Sequence, residues 1–169
     1  MMLRKLSFGM FAGYALMFAP AFATCTASTS RNWVDGHTIE AYAQGPTCAQ
    51  AVATLIIRRK SGEAIWAYAH VTSNLMNFTQ SPAANAKALT AQLKDWISGN
   101  GFMKSADKLV TDSEFPFMLN EGVDAATFAK YRKAKLPMLC YIQGMESGKC
   151  VALDNKDGVI ELGVQSFPG

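Results

Sequence analysis

Four cysteines, Cys25, Cys48, Cys140 and Cys150, are the residues of this chain best suited to chemistry. Cys140 and Cys150 sit in LPMLCYIQGMESGKCVALD, each within an apolar run, with QGMESGK between them. Such a pair can be a redox couple, part of a metal site, or a staple. A redox couple needs a low-pKa thiolate, typically in Cys-x-x-Cys at a helix start, and that motif is missing. Zinc needs closely spaced Cys and His ligands, but His37 and His70 are far in sequence from each other and from every cysteine. The expectation is therefore no metal, no cofactor and a disulfide. With Met145 at the centre of a turn, Cys140 falls opposite Cys150, Leu139 opposite Val151 and Met138 opposite Ala152. Directly opposed residues of an antiparallel pair lie about 4.5 to 5.5 Å apart at Cα, within disulfide reach. Cys25 and Cys48 then pair by default.

The other reactive candidates are sparse. His70 shares an expected strand face with Trp66 and Tyr68, which reads as a buried, hydrogen-bonded histidine rather than a catalytic base. No Gly-x-Ser-x-Gly, Ser-x-x-Lys, His-Glu-x-x-His or phosphate loop accompanies it. No catalytic residue is assigned. Lys130, Arg132, Lys133 and Lys135 crowd one segment, a pattern that usually marks a solvated helix face. The functional alternative is a docking patch for an acidic partner, to which exposed Phe115 and Phe117 would add an apolar part. The proline of Phe115-Pro116-Phe117 equally suits a short edge strand.

These residues must be positioned by a chain that begins as an export signal. Arg4 and Lys5 precede an apolar stretch without acidic residues, and Ala21-Phe22-Ala23 gives a small-x-small cleavage pattern. Residues 1–23 are thus expected to be removed, the run being too short for a membrane span. Lipid attachment at Cys25 is the alternative, although Phe22-Ala23-Thr24 matches the lipoprotein pattern poorly. Two of the 16 basic residues leave with the signal, so 14 remain against 13 acidic ones. Near-neutral charge argues against nucleic-acid binding. An even cysteine count in an exported chain suits two disulfides.

Residues 24–36 read as a polar lead-in, and 37–169 as one domain. Ile39, Ala41 and Ala43 alternate along a strand that Gly45-Pro46 ends. AVATLIIRRK and EAIWAYAHVT then flank Ser61-Gly62 as a hairpin with a two-residue loop. That register sets Ile57 against Trp66, Leu55 against Tyr68 and Ala53 against His70, with both faces apolar enough to be covered. Ser81-Pro82 opens a helix to Ser98, its stripe being Ala86, Leu89, Leu93, Trp96 and Ile97. Asp124 caps a second helix bearing Phe128 and Tyr131, and two strands follow Pro137 and the Cys140 run. The fold class is α+β: one small domain, mainly an antiparallel sheet of five to seven strands (N-terminal hairpin plus C-terminal meander) with two packed helices. The functional expectation is a non-enzymatic periplasmic binding or inhibitor-like module, exported or secreted, whose partner is an envelope protein or acidic envelope polymer. The alternatives are an envelope-substrate hydrolase near His70 and residues 101–122, and a lipid-anchored structural protein.

Overall fold

A computed structural model describes residues 24–98, 103–109, 114–154, 156 and 158–167. The proposed signal, residues 1–23, lies outside them, as do Gly99 and Gly101 at the expected end of the first helix.

The chain is α+β and entirely antiparallel, but its strands form two sheets rather than one. The first sheet runs in sequence order through β1 (Cys25–Asn32), β2 (Thr38–Gly45), β3 (Val52–Arg58) and β4 (Ala64–Val71). After the one-turn helix α1 (Met76–Thr79) and the long helix α2 (Ala86–Ser98), the chain enters the second sheet. Its strands are β5 (Met103–Ser105), β6 (Phe117–Leu119), β7 (Pro137–Ile142), β8 (Ser147–Leu153) and β9 (Val159–Ser166), in the order β5-β7-β8-β9-β6. Helix α3 (Ala125–Lys133) interrupts it between β6 and β7.

The Ser/Thr-rich stretch read as a lead-in supplies β1, paired with β2 from Cys25 opposite Gly45 to Asn32 opposite Thr38. Only Cys25 and Ala27 of β1 are buried, so its inward face carries little apolar signal. On β2 and β3 the alternation is strong: Ile39, Ala41, Ala43, Ala53, Leu55 and Ile57 are wholly buried. The alanines let α2 approach closely, and Leu89, Leu93, Trp96 and Ile97 fill the space above them. Each such side chain contributes roughly 1.5–3 kcal/mol on burial. Ala86 is exposed at the helix start. Asn85 rather than Ser81 caps that helix, its Oδ1 accepting from the Ala88 N–H at 2.9 Å. The short amide reaches the third helical N–H, so the helix begins four residues beyond Pro82.

The β3–β4 register is the expected one, with Ile57, Leu55 and Ala53 opposite Trp66, Tyr68 and His70. Its loop differs: Arg59 N–H bonds the Glu63 carbonyl at 2.9 Å, leaving Lys60, Ser61 and Gly62 in the turn and a bulge beside Arg58. Gly62 takes φ +90° there, as a turn closed by a bulge requires. Among the described residues, the two-sided cover expected for this hairpin is not found. Val52 and Val71 are 45% and 48% exposed, and Ala67 and Ala69 are also open. Alanine and threonine on that side bury too little surface to recruit a covering layer.

The second sheet packs between the first sheet and α3. Leu139, Tyr141 and Val151 join the core under the first sheet, while Met138, Cys140, Cys150 and Ala152 face Phe128 and Leu136. β7 and β8 pair with Cys140 opposite Cys150, Leu139 opposite Val151 and Met138 opposite Ala152. Both disulfides are closed: Cys140–Cys150 with Cα atoms 4.0 Å apart and Cys25–Cys48 at 5.0 Å. A bulge in β9 leaves Leu162 between the partners of Val151 and Cys150 and buries it fully. At the neighbouring Gly163 a Cβ would lie 2.0 Å from the Met118 carbonyl oxygen, so β6 approaches only because no side chain stands there.

Helix α3 is capped by Asp124, whose Oδ1 accepts from the Thr127 N–H at 2.6 Å. That bond foremost keeps the Asp124 carboxyl below its ordinary range. The helix ends in a paired-bond cap: Leu136 N–H reaches the Tyr131 carbonyl at 3.3 Å and Lys135 N–H the Arg132 carbonyl at 3.0 Å. The residue in the left-handed position of this cap is Lys135, at φ +50°, where glycine is the usual occupant. No described helix is long and apolar enough to cross a membrane. The disulfides are compatible with an exported chain.

Candidate functional site

β4 is an edge strand: among the described residues it pairs only with β3. Its sequence, AIWAYAHV, holds no Lys, Arg, Asp, Glu or Pro, the residues that ordinarily keep a sheet edge from pairing. The Thr72 N–H donates to the Ala51 carbonyl at 3.0 Å, continuing the β3–β4 ladder. Antiparallel alternation then turns the backbone groups of His70 and Tyr68 toward β3 and those of Ala67, Ala69 and Val71 outward. The outward residues are small or β-branched, and all three are exposed. The other sheet edges differ in kind. β5 and β6 are three residues each, and β1 is polar with Arg31 bonded to the Ile97 carbonyl at 3.3 Å.

Beside this edge, β4 presents an aromatic row toward the second sheet. Trp66 and Tyr68 stack with centroids 6.3 Å apart, and His70 lies 4.7 Å from Tyr68. Trp96 of α2 and Tyr141 of β7 meet His70 edge-on at 5.9 and 5.7 Å. Two charges complete the group. The Glu161 carboxylate accepts from Trp66 Nε1 at 3.2 Å and pairs with Lys149 Nζ at 2.7 Å, and that ammonium lies 4.7 Å from the Tyr68 ring centroid.

The surroundings set the protonation states. Burial, then the Lys149 charge, lowers the His70 pKa from its ordinary 6.5, so the imidazole is neutral at pH 7. For Glu161 burial alone would raise the pKa. Hydrogen bonds from Lys149 and Trp66, with the Lys149 charge, outweigh it and hold the carboxyl below 4.5. Tyr141 is fully buried, and burial, then Glu161 and Tyr68, pushes its phenol well above the ordinary 10.0. Tyr141 Oη and His70 Nε2 have no hydrogen-bond partner among the described residues. The group therefore combines a neutral imidazole, a neutral phenol and a closed ion pair. It can present aromatic faces and a sheet edge to a partner.

The sequence-derived candidates are dispersed. The cysteines are all disulfide-bonded. Phe117 is 7% exposed and stacks on Phe128 at 5.8 Å, so it belongs to the core under α3 and not to a surface patch. Its position beside Pro116 at the start of a three-residue edge strand explains the apolar run. Phe115 is half-buried. Lys130 and Lys133 are exposed on α3, and Arg132 leans over the Phe128 ring at 5.9 Å. The described part of residues 101–122 contributes Ser105 and Lys108 to a cleft whose lining does not include His70. Among the described residues no three His, Cys, Asp or Glu side chains could hold a metal ion. Sequence reasoning missed Tyr141, Lys149 and Glu161, whose approach to His70 depends on how the two sheets pack.

Comparison with protein-family models, curated proteins and solved structures finds no match to this chain.

Proposed function

We propose that this chain is a small exported binding or inhibitor-like module that takes up an extended segment of a partner polypeptide beside β4. The observation that carries this reading is the uncharged eight-residue edge with outward Ala67, Ala69 and Val71. Strand addition supplies affinity through main-chain hydrogen bonds, and alternate side chains supply specificity. One face of the added strand meets the Trp66, Tyr68 and His70 row; the other continues the exposed Ala67, Ala69 and Val71 side. The fitting segment is neutral, rich in β-branched and aromatic residues, and free of proline, and an envelope protein is its expected source.

The test is selection of displayed ten-residue peptides against the immobilised mature chain. Selected peptides should protect the Ala67 and Ala69 amides from hydrogen exchange. They should also lose about tenfold or more in affinity against Ala67→Lys and Ala69→Pro, roughly the worth of one or two hydrogen bonds. Peptides that bind both variants as well as the parent, or that leave those amides unprotected, refute the proposal.

A further inference from the structure

A cleft of about 550 Å³ separates the β1–β2 turn from the α3–β7 turn, lined by Trp33, Val34, Ser105, Lys108, Lys135, Pro137 and Met138. No β4 residue lines it, so a ligand held there would be independent of strand addition. Its volume suits a small molecule, and its walls combine an apolar floor with a few polar groups, the usual make-up of such sites.

Both turns that form the cleft carry left-handed backbone, at little cost in the first, where an Asp-Gly pair suits it, and at more in the second. Trp33 N–H bonds the His37 carbonyl at 2.8 Å, and the loop so closed holds Asp35 at φ +50° and Gly36 at φ +80°. On the opposite wall stands Lys135, in the cap position that glycine fills with least strain. A local rule broken without a packing gain points to a role for the side chain itself. Lys135 is exposed and, among the described residues, makes no ion pair. Lys108 stands on the same wall, its turn bonded from the Ala106 N–H to the Leu136 carbonyl at 2.9 Å, and lies 3.6 Å from Asp107. The Ser105 hydroxyl, above all, keeps that Asp107 carboxyl below its ordinary range, and it offsets one of the two ammonium charges. The cleft lining thus carries two ammonium groups against the one carboxylate that pairs with Lys108, beside an indole.

We propose that this cleft binds a small organic anion, a ring-bearing carboxylate or phosphate, with its charge at Lys135 and Lys108 and its ring against Trp33, Pro137 and Met138. The lysine at the cap is then a ligand-binding residue whose strain is tolerated for its charge.

The experiment titrates the isotope-labelled mature chain with phenyl phosphate, benzyl alcohol and inorganic phosphate, following amide and indole resonances. Phenyl phosphate should shift Trp33, Ser105, Lys108, Lys135 and Met138 together. It should bind about tenfold tighter than either half-molecule, the worth of one charge-assisted contact or of ring burial. Lys135→Gly should weaken it about fivefold or more while raising the urea midpoint, because glycine relaxes the cap. A variant that is more stable cannot lose binding through misfolding. Lys108→Gln should weaken binding in the same sense. Phenyl phosphate binding no better than benzyl alcohol, binding unchanged in Lys135→Gly, or shifts spread over Lys130 and Lys133 would each overturn the proposal.

Discussion

The two disulfides close loops of different length, and their contributions to stability can be ranked before measurement. The sequence separations are 23 for Cys25–Cys48 and 10 for Cys140–Cys150. In the chain-entropy model these loops restrict the unfolded state by about 3.4 and about 2.7 kcal/mol. Cys150 is wholly buried and Cys140 nearly so, and truncation to alanine adds a cavity cost that must cancel out of the comparison. The clean comparison therefore uses two single-disulfide proteins, Cys25→Ala with Cys48→Ala, and Cys140→Ala with Cys150→Ala. Each is unfolded in urea oxidised and again fully reduced, and the difference within each protein isolates its remaining bridge. The Cys25–Cys48 bridge should contribute more, by about 0.7 kcal/mol. Equal contributions, or a larger one from the Cys140–Cys150 bridge, would refute a loop-entropy account and show that the hairpin depends on its bridge for native pairing.

Two further outcomes are expected from the group around His70. Because its folded pKa lies below the unfolded 6.5, the unfolded chain binds a proton first as pH drops. Stability is therefore retained above about pH 6.5 and falls from there toward the lowered folded value; His70→Gln should flatten that part of a urea-midpoint profile, and an unchanged slope would contradict it. The buried Tyr141 hydroxyl lacks a partner among the described residues. Tyr141→Phe should accordingly be neutral or stabilising by about 1 kcal/mol in chemical denaturation, whereas a loss of that size would show that the hydroxyl is bonded in solution.

What can be read from the residues is local. The β3–β4 and β7–β8 registers follow from alternating apolar residues and turn-forming glycines, because each hairpin is decided by neighbours in sequence. Asp124 at the start of α3 is legible for the same reason. The start of α2 is not, because Ser81-Pro82 and Asn85 offer competing starts, and only tertiary packing chooses between them. Strand β1 is obscured because a strand that buries just Cys25 and Ala27 resembles a polar segment. The division into two sheets is equally hidden, since nothing local tells a meander which face of an earlier hairpin it will cover. The same limit hides Lys149 and Glu161, unremarkable charges on the C-terminal strands until the sheets pack. Lys135 is visible as part of a basic run, but its left-handed position emerges only from the cap bonds around it.

Each disulfide stays within the stretch of chain that builds one sheet, and none of the four cysteines bridges the two sheets. Under tension applied at its ends, the chain would thus behave as two knotted segments in series. The loops of separation 23 and 10 would together withhold roughly 100–110 Å of contour from full extension. The contacts that hold the second sheet to the first sheet and to α2, Trp66 to Glu161 and Trp96 Nε1 to the Ile142 carbonyl among them, are noncovalent and would yield to the pull. A stretched oxidised molecule would therefore part at the seam beside His70 while its two tied loops stayed closed, and reductant would release their hidden length in two unequal steps.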